Sequence, residues 1–168
     1  DLSESYKVES LIIAATSAVR EAPNGKIFIS EIKKKIGLDV ELISGAEEAR
    51  LIYLGVLSGM QFGNKPHLVL DIGGGSTELI LADSAEARAL TSTKIGAVRL
   101  QREFIKKDPI TSQTELFLRS FIRGSMESAI DKVSKRIESG EEPVLVATSG
   151  TAMAIGSLIS NKENHIQS

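Results

Sequence analysis

The stretch Asp71-Ile72-Gly73-Gly74-Gly75-Ser76-Thr77-Glu78 constrains this chain more than any other. An apolar run, His67-Leu68-Val69-Leu70, leads into it, and a second, Leu79-Ile80-Leu81-Ala82, leaves it. The pattern reads strand, glycine turn, strand, with a carboxylate at the end of the first strand. Lacking Cβ atoms, three consecutive glycines let backbone N–H groups approach an anion closely. Ser76 and Thr77 add hydroxyl donors. Gly73, Gly74, Gly75, Ser76 and Thr77 are therefore read as a phosphate cradle. Asp71 would repel phosphate unless a cation stood between them, so it implies Mg²⁺ or Mn²⁺ held largely through water. The plain alternative is a ligand-free hairpin turn with Asp71 as a strand terminus. A two-residue turn needs only one or two glycines, not three beside Asp, Ser and Thr.

Other phosphate loops fit less well. The G-x-x-x-x-G-K-[ST] loop requires a lysine after its glycines, and none follows here. The G-x-G-x-x-G turn opens a helix, whereas Thr77–Ala82 continues with β-branched and aliphatic residues, as a hairpin does.

The 168 residues suit one domain or two small ones. A net charge of −2 provides no global field for nucleic acid, so a polyanion must bind through local donors or metal ions. No apolar run reaches the ~18 residues of a membrane span, and no signal peptide is visible at Asp1-Leu2-Ser3-Glu4. The absence of cysteine rules out disulfides and thiolate metal sites and fits a reducing, cytoplasmic setting. The chain does not begin with Met, so a fragment or processed chain is expected.

Periodicity predicts strands at Val8–Thr16 and Asp39–Ser44, and helices at Gly25–Gly37 and Ala46–Met60, with a polar turn at Ser17–Pro23. Ile27, Phe28, Ile32 and Ile36 share one face of the first helix, and Gly37 is its stop. This β-α-β-α order implies parallel strands with crossover helices. After a linker at Asn64-Lys65-Pro66 the pattern restarts. Strands are expected at His67–Ile72, Thr77–Ala82 and Arg88–Lys94, and a helix at Ala97–Lys107. A long helix at Thr111–Glu138, bent near Gly124, precedes a strand at Pro143–Thr148 and a helix at Thr151–Leu158. Residues 161–168 read as a frayed end.

The second order, β-β-β-α-α-β-α, matches the start of a ribonuclease-H-like domain of the actin/Hsp70/sugar-kinase superfamily. Four segments narrow the resemblance: Ala15-Thr16-Ser17-Ala18-Val19-Arg20-Glu21-Ala22, then Ile43-Ser44-Gly45-Ala46-Glu47-Glu48-Ala49-Arg50-Leu51-Ile52-Tyr53, then Asp71–Glu78, then Ala147-Thr148-Ser149-Gly150-Thr151. In this order and spacing they closely resemble the exopolyphosphatase / guanosine pentaphosphate phosphohydrolase family, over nearly the whole chain. The resemblance implies an α/β fold with two partial ribonuclease-H-like (actin-like ATPase) domains flanking a cleft: residues 1–65 from the back of the first and 66–168 from the front of the second. It implies hydrolysis of terminal phosphoanhydride bonds in inorganic polyphosphate or guanosine pentaphosphate, and a homodimer is compatible with it. Family members carry a first phosphate loop, D-x-G-[ST]-N-[ST], absent from these residues, so the chain alone is expected to be nearly inactive.

Several residues keep two readings. Glu47 and Glu48 open a helix where acidic side chains suit the macrodipole; the resemblance makes Glu48 the base that positions the attacking water. Glu78 faces away from Thr77 and either holds a water or metal ion or pairs with a structural arginine. Arg20 is suited to bidentate phosphate binding, largely on the strength of the resemblance. Arg50 reads as a structural ion-pair partner. Ser149, Gly150 and Thr151 join a buried strand to a helix N-terminus, either as an anion site or as a helix cap. His67 and His165 are too far apart for a histidine metal site, and Lys33-Lys34-Lys35 reads as a solvated face. Two alternatives follow: an ATP-dependent kinase or chaperone of the superfamily, which the S-G-x-E-E-A-R segment speaks against, and a non-catalytic module binding an alarmone or polyphosphate, which would tolerate loss of Glu48.

Overall fold

The computed structural model describes residues 5–63 and 65–166, the segment 161–166 as backbone. Asp1–Glu4, Asn64 and residues 167–168, on which the reading of the first residues and parts of the linker and tail readings fall, lie outside the described residues. The chain divides into two compact units, one ending at Ser44 and one beginning at Gly45.

In the first unit, β1 (Ile13–Ala15) pairs in parallel with β2 (Val40–Leu42), Ile13 opposite Val40 and Ala15 opposite Leu42. β1 is much shorter than the expected Val8–Thr16 strand, because β2 offers only three residues to pair with. Val8, Leu11 and Ile12 are left exposed. The expected polar turn after β1 is a short helix, α1 (Ser17–Glu21). α2 (Gly25–Ile36) stops at Gly37 as expected, with a left-handed φ of 75° and its N–H on the Lys33 carbonyl. Ile27, Phe28 and Ile36 on the expected apolar face of α2 are exposed. A two-stranded sheet is too narrow to cover that face. Lys33–Lys35 occupy the last turn, where they complement the helix dipole; Lys33 pairs with Asp39 and Lys35 with Glu31.

The second unit begins with α3 (Gly45–Gly59), which lies on the sheet of that unit rather than grouping with residues 1–44. The helical period shows which face of α3 is apolar, but not which sheet receives it. The compact units meet between Ser44 and Gly45, and the break read from the sequence at 65/66 lies within the second unit. β3 (His67–Ile72), β4 (Thr77–Ala82), β5 (Ala87–Thr93) and β6 (Val144–Thr148) form one sheet in the order β5-β4-β3-β6. The first three are antiparallel and β6 runs parallel to β3. The element order from His67 onward, β-β-β-α-α-β-α, is the ribonuclease-H-like one expected from the sequence. α4 (Ala97–Phe104) follows β5, and α5 (Ser112–Ser134) starts at a Thr111 cap whose hydroxyl accepts from Thr114 N at 3.2 Å. α5 continues through Gly124 as one helix. α6 (Ser149–Ile166) is longer than expected and includes most of the tail read as frayed.

Alternation along the strands gives the sheet two apolar faces. Val69, Ile80, Ala82, Leu90 and Val146 face α3, meeting Ala49, Ile52, Tyr53, Val56 and Leu57. Leu68, Leu70, Leu79, Leu81 and Ala89 face α5, meeting Met126 and Val133. The site stands at one end of the first face.

Candidate active site

Asp71 lies directly opposite Glu78 in the β3–β4 ladder, Glu78 opposite Ser92 on β5, and Asp71 opposite Thr148 on β6. Residues opposite one another share a face, so Ser92, Glu78, Asp71 and Thr148 form one polar row across the sheet. Two residues back along each strand the row is Leu90, Ile80, Val69 and Val146, the apolar surface beneath α3. Each carboxylate is thus the polar end of a hydrophobic row. α3 follows the same rule: Ala49 and Tyr53 are buried against this face, and Glu48 sits at the adjoining, N-terminal end, half-buried.

Glu48, Asp71 and Glu78 therefore converge. Burial pushes the Asp71 carboxyl up, and the Glu48 charge adds to it. Glu78 is only 1% exposed. Burial raises its pKa most, hydrogen bonds from Ser92 and Ser76 pull it down, and Glu48 and Asp71 push it up again. Ser92 Oγ donates to Glu78 Oε1 at 2.7 Å. Of the two readings kept for Glu78, no arginine pairing is observed among the described residues; serines and acidic neighbours surround it. Glu47 is different. Its carboxylate takes a bidentate pair from Arg50 at 2.7 and 2.8 Å, which holds it below the usual carboxylate range. Arg50 has the structural role expected of it.

Among the described residues no group of three or more Asp, Glu or His side chains is placed to hold a metal ion. Mg²⁺ takes one or two carboxylates and fills the rest of its octahedron with water and phosphate oxygens. Asp71, with Glu78 beside it, fits that pattern.

The glycine turn is a hairpin tip closed by Gly73 N on the Ser76 carbonyl at 3.0 Å. None of Gly73, Gly74 and Gly75 has a left-handed backbone, so φ freedom is not what the turn uses. The carbonyls of the three glycines all point to α4. Gly73 O accepts from Ala97 N, Gly74 O from Arg99 N and Gly75 O from Arg99 Nε, each at 3.0 Å. Among the described residues, the N–H groups of Gly74, Gly75 and Ser76 make no backbone hydrogen bond. The turn thus commits its acceptors and keeps its donors, as an anion cradle requires.

The two hydroxyls behave differently from expectation. Thr77 is buried on the opposite face and donates to the Ile95 carbonyl at 2.7 Å, so it anchors the turn. Ser76 is buried and bonded to Glu78. Ser149 has a φ of 81° and donates to the Ile72 carbonyl at 2.8 Å, tying the start of α6 to the end of β3. Parallel pairing of β3 and β6 brings the N-terminus of α6, with Gly150 and Thr151 in its first turn, to the same end of the sheet as the cradle. Arg20 belongs to the first unit. Its Nη1 donates to the Ile43 carbonyl at 2.9 Å, and its Nε lies 3.9 Å from Glu21. His67 stacks on Phe62 with ring centroids 4.2 Å apart, and its Nδ1 lies 2.9 Å from the Lys65 carbonyl.

Gly96 and Arg99 escaped the sequence reading. A Cβ at Gly96 would stand 2.5 Å from Gly74 C and Gly75 N. The available signal was an isolated glycine at the strand-to-helix junction, which marks a close backbone approach.

The second unit thus combines a ribonuclease-H-like sheet with a carboxylate row and a glycine hairpin at one end. The Ppx/GppA phosphatase family model matches residues 1–167, and the chain belongs to that family. It is 36% identical over 148 residues to a guanosine-5'-triphosphate,3'-diphosphate pyrophosphatase of Aliivibrio fischeri, covering 88% of this chain and 29% of that protein. It is 34% identical over 148 residues to exopolyphosphatase 1 of Mycobacterium leprae, covering 88% of this chain and 43% of that protein. Among solved structures, an exopolyphosphatase from Cytophaga hutchinsonii superposes with a TM-score of 0.81 at 30% identity, over 98% of this chain and 51% of that one. The Aquifex aeolicus Ppx/GppA protein superposes with a TM-score of 0.70 at 29% identity, over 95% and 49%. The chain thus spans about half or less of the length of these relatives. Among the described residues no helix is long and apolar enough to cross a membrane.

Proposed function

We propose that this chain supplies the carboxylate cluster and one phosphate cradle of an enzyme hydrolysing terminal phosphoanhydride bonds of inorganic polyphosphate or guanosine pentaphosphate. The observation that carries this reading is the convergence of Glu48, Asp71 and Glu78 on one face beside a hairpin whose donors remain available. Hydrolysis needs a water in line with the leaving oxygen and a proton acceptor beside it. Glu48, in the first turn of α3 on the side of Asp71 and Glu78, takes that role; Glu47 pairs with Arg50. The Gly74–Ser76 amides, with the first turn of α6 at Ser149–Thr151, bind non-bridging phosphate oxygens and stabilise charge as it develops there. Arg20, in the first unit, is read as a phosphate-binding residue on the family resemblance alone.

Asp71 and Glu78 would hold Mg²⁺ or Mn²⁺, which supplies charge neutralisation between carboxylates and phosphate. The cysteine-free sequence suits a cytoplasmic setting. The test is phosphate release from long-chain polyphosphate and from guanosine pentaphosphate, side by side, by the full-length protein with and without Mg²⁺. The expected result is Mg²⁺-dependent release from at least one of them, lost in Asp71→Asn. Equal release by Asp71→Asn would remove the carboxylate cluster from the chemistry.

A further inference from the structure

We propose that Gly96 and Arg99 form a clamp that sets the glycine hairpin in its phosphate-binding shape, which makes Arg99 a positioning residue. The inference rests on the reading of Gly73–Ser76 as a phosphate cradle and adds residues outside that motif.

Two independent observations support it. The first is steric. Gly96 is buried, and its backbone lies against the tip of the hairpin so closely that a Cβ would stand 2.5 Å from Gly74 C and Gly75 N and 2.6 Å from Gly74 O. No real Cβ contact is that short, so any side chain at 96 must displace the tip. The second is polar. Three successive carbonyls, those of Gly73, Gly74 and Gly75, each accept one bond from the segment 97–99. Two of these donors are backbone amides at the start of α4. The third, for Gly75, is the Arg99 side chain.

The geometry has a consequence for the ligand. A peptide group is planar, with its C=O and N–H on opposite sides. Fixing the carbonyls of Gly73, Gly74 and Gly75 toward α4 therefore turns the amides of Gly74, Gly75 and Ser76 the other way, into one concave set. A three-residue run that includes Gly74-Gly75 at its tip has many competing conformations, and glycine loses the most freedom when one of them is fixed. Binding a phosphate to an unclamped tip would carry that ordering cost at each encounter. The clamp settles it during folding. Thr77, on the Ile95 carbonyl, fixes the exit of the tip in the same way. Arg99 also lies 4.0 Å from Glu103 one turn on, which keeps the guanidinium over the hairpin.

The proposal separates Arg99 from an ordinary structural arginine. Its loss leaves the two backbone bonds and the fold in place but releases the Gly75–Ser76 peptide, whose N–H is a ligand donor. Arg99→Lys keeps the charge and lacks Nε, so it should not rescue. In the full-length protein, inorganic phosphate is titrated while the Gly73–Ser76 amides are followed by NMR, and melting temperature is measured in parallel. The expected result for Arg99→Ala and Arg99→Lys is about a tenfold loss of phosphate affinity, the loss attached to one well-placed hydrogen bond. The ligand-free Gly75 and Ser76 amides should gain mobility, while the melting temperature stays near wild type. Gly96→Ala should lose more affinity and some stability as well. A wild-type hairpin that responds to phosphate while Arg99→Ala binds it equally well, or keeps its Gly75 and Ser76 amides equally ordered, would overturn this inference alone. A wild-type hairpin indifferent to phosphate would overturn the reading of the site, and this inference with it.

Discussion

Asp71 and Glu78 face each other directly across the β3–β4 ladder, so two carboxylates share one face of the sheet at the mouth of the glycine hairpin. Like charges placed opposite one another destabilise a sheet. Both groups are raised above the ordinary carboxylate range, first by burial and then by acidic neighbours. The sign of the pH effect follows. A carboxyl raised in the folded state holds a proton that the unfolded chain has already released, so stability is fullest below the unfolded value and falls as pH rises through the folded one. Without divalent ions, Asp71→Asn should therefore melt higher than wild type at neutral pH, and the gap should close toward about pH 4, where unfolded carboxylates protonate. Thermal melts across that range check it; a gap independent of pH would refute the assignment. Such a gain with loss of function is the usual trade-off at a strained site.

Glu48→Gln should abolish turnover while inorganic phosphate still binds the hairpin. Loss of a positioned general base typically costs about 10²–10⁴ in rate. Glu47→Gln is the control. Its carboxylate is occupied by Arg50, so its loss should lower helix stability slightly and leave turnover within a few-fold. Steady-state kinetics of the two variants decide between the adjacent glutamates, and equal losses in both would remove the distinction.

The strands of the second unit were legible because their apolar runs are bounded by residues that end strands. His67–Ile72 and Thr77–Ala82 match the sequence reading residue for residue. Alternation also placed Glu78 on the face opposite Thr77. What stayed hidden depends on partners distant in sequence. Leu11 and Ile12 are as apolar as β1, yet pairing needs a neighbour, and β2 is only three residues long. Thr77 reads from the sequence as a hydroxyl donor for phosphate, whereas its hydroxyl is committed to the Ile95 carbonyl, 18 residues away. Composition identified donors; only the fold shows which are already taken.

Arg88 should matter for stability and not for the site. It bridges Asp83 and Glu141 at 2.8 Å each, and Glu141 also accepts from Glu138 N, so the β4–β5 turn is tied to the segment before β6. Both carboxyls are held below the usual range, led by backbone N–H bonds, with Arg88 adding to the effect. The sign is opposite to that of Asp71: their contribution is present above the unfolded pKa and is lost as pH falls through the lowered folded values. Arg88→Ala should lower the melting temperature at neutral pH, with the deficit shrinking in acid, and leave phosphate binding at the hairpin unchanged. Melting and phosphate titration on the same variant measure both halves.

Ala49 tests whether the position of α3 matters to the chemistry. It is fully buried against the sheet, one residue beyond Glu48 and one turn before Tyr53, whose hydroxyl donates to the Asp83 carbonyl at 3.2 Å. A small residue here lets the start of α3 approach the carboxylate row. Ala49→Leu adds three carbons at a site without room for them, a change that typically costs about 1–3 kcal/mol as helix and sheet move apart. The Tyr53 end stays anchored, so the displacement should concentrate at Glu48. Turnover should then fall far more than the stability loss explains, because misplacing a reacting group by about 1 Å can cost about 10²-fold. Phosphate binding at the hairpin should stay near wild type, since α4 rather than α3 holds the glycine carbonyls. Kinetics, melting temperature and phosphate affinity on this one variant separate the outcomes. Turnover unchanged despite a lowered melting temperature would show that Glu48 need not be held close to Asp71 and Glu78.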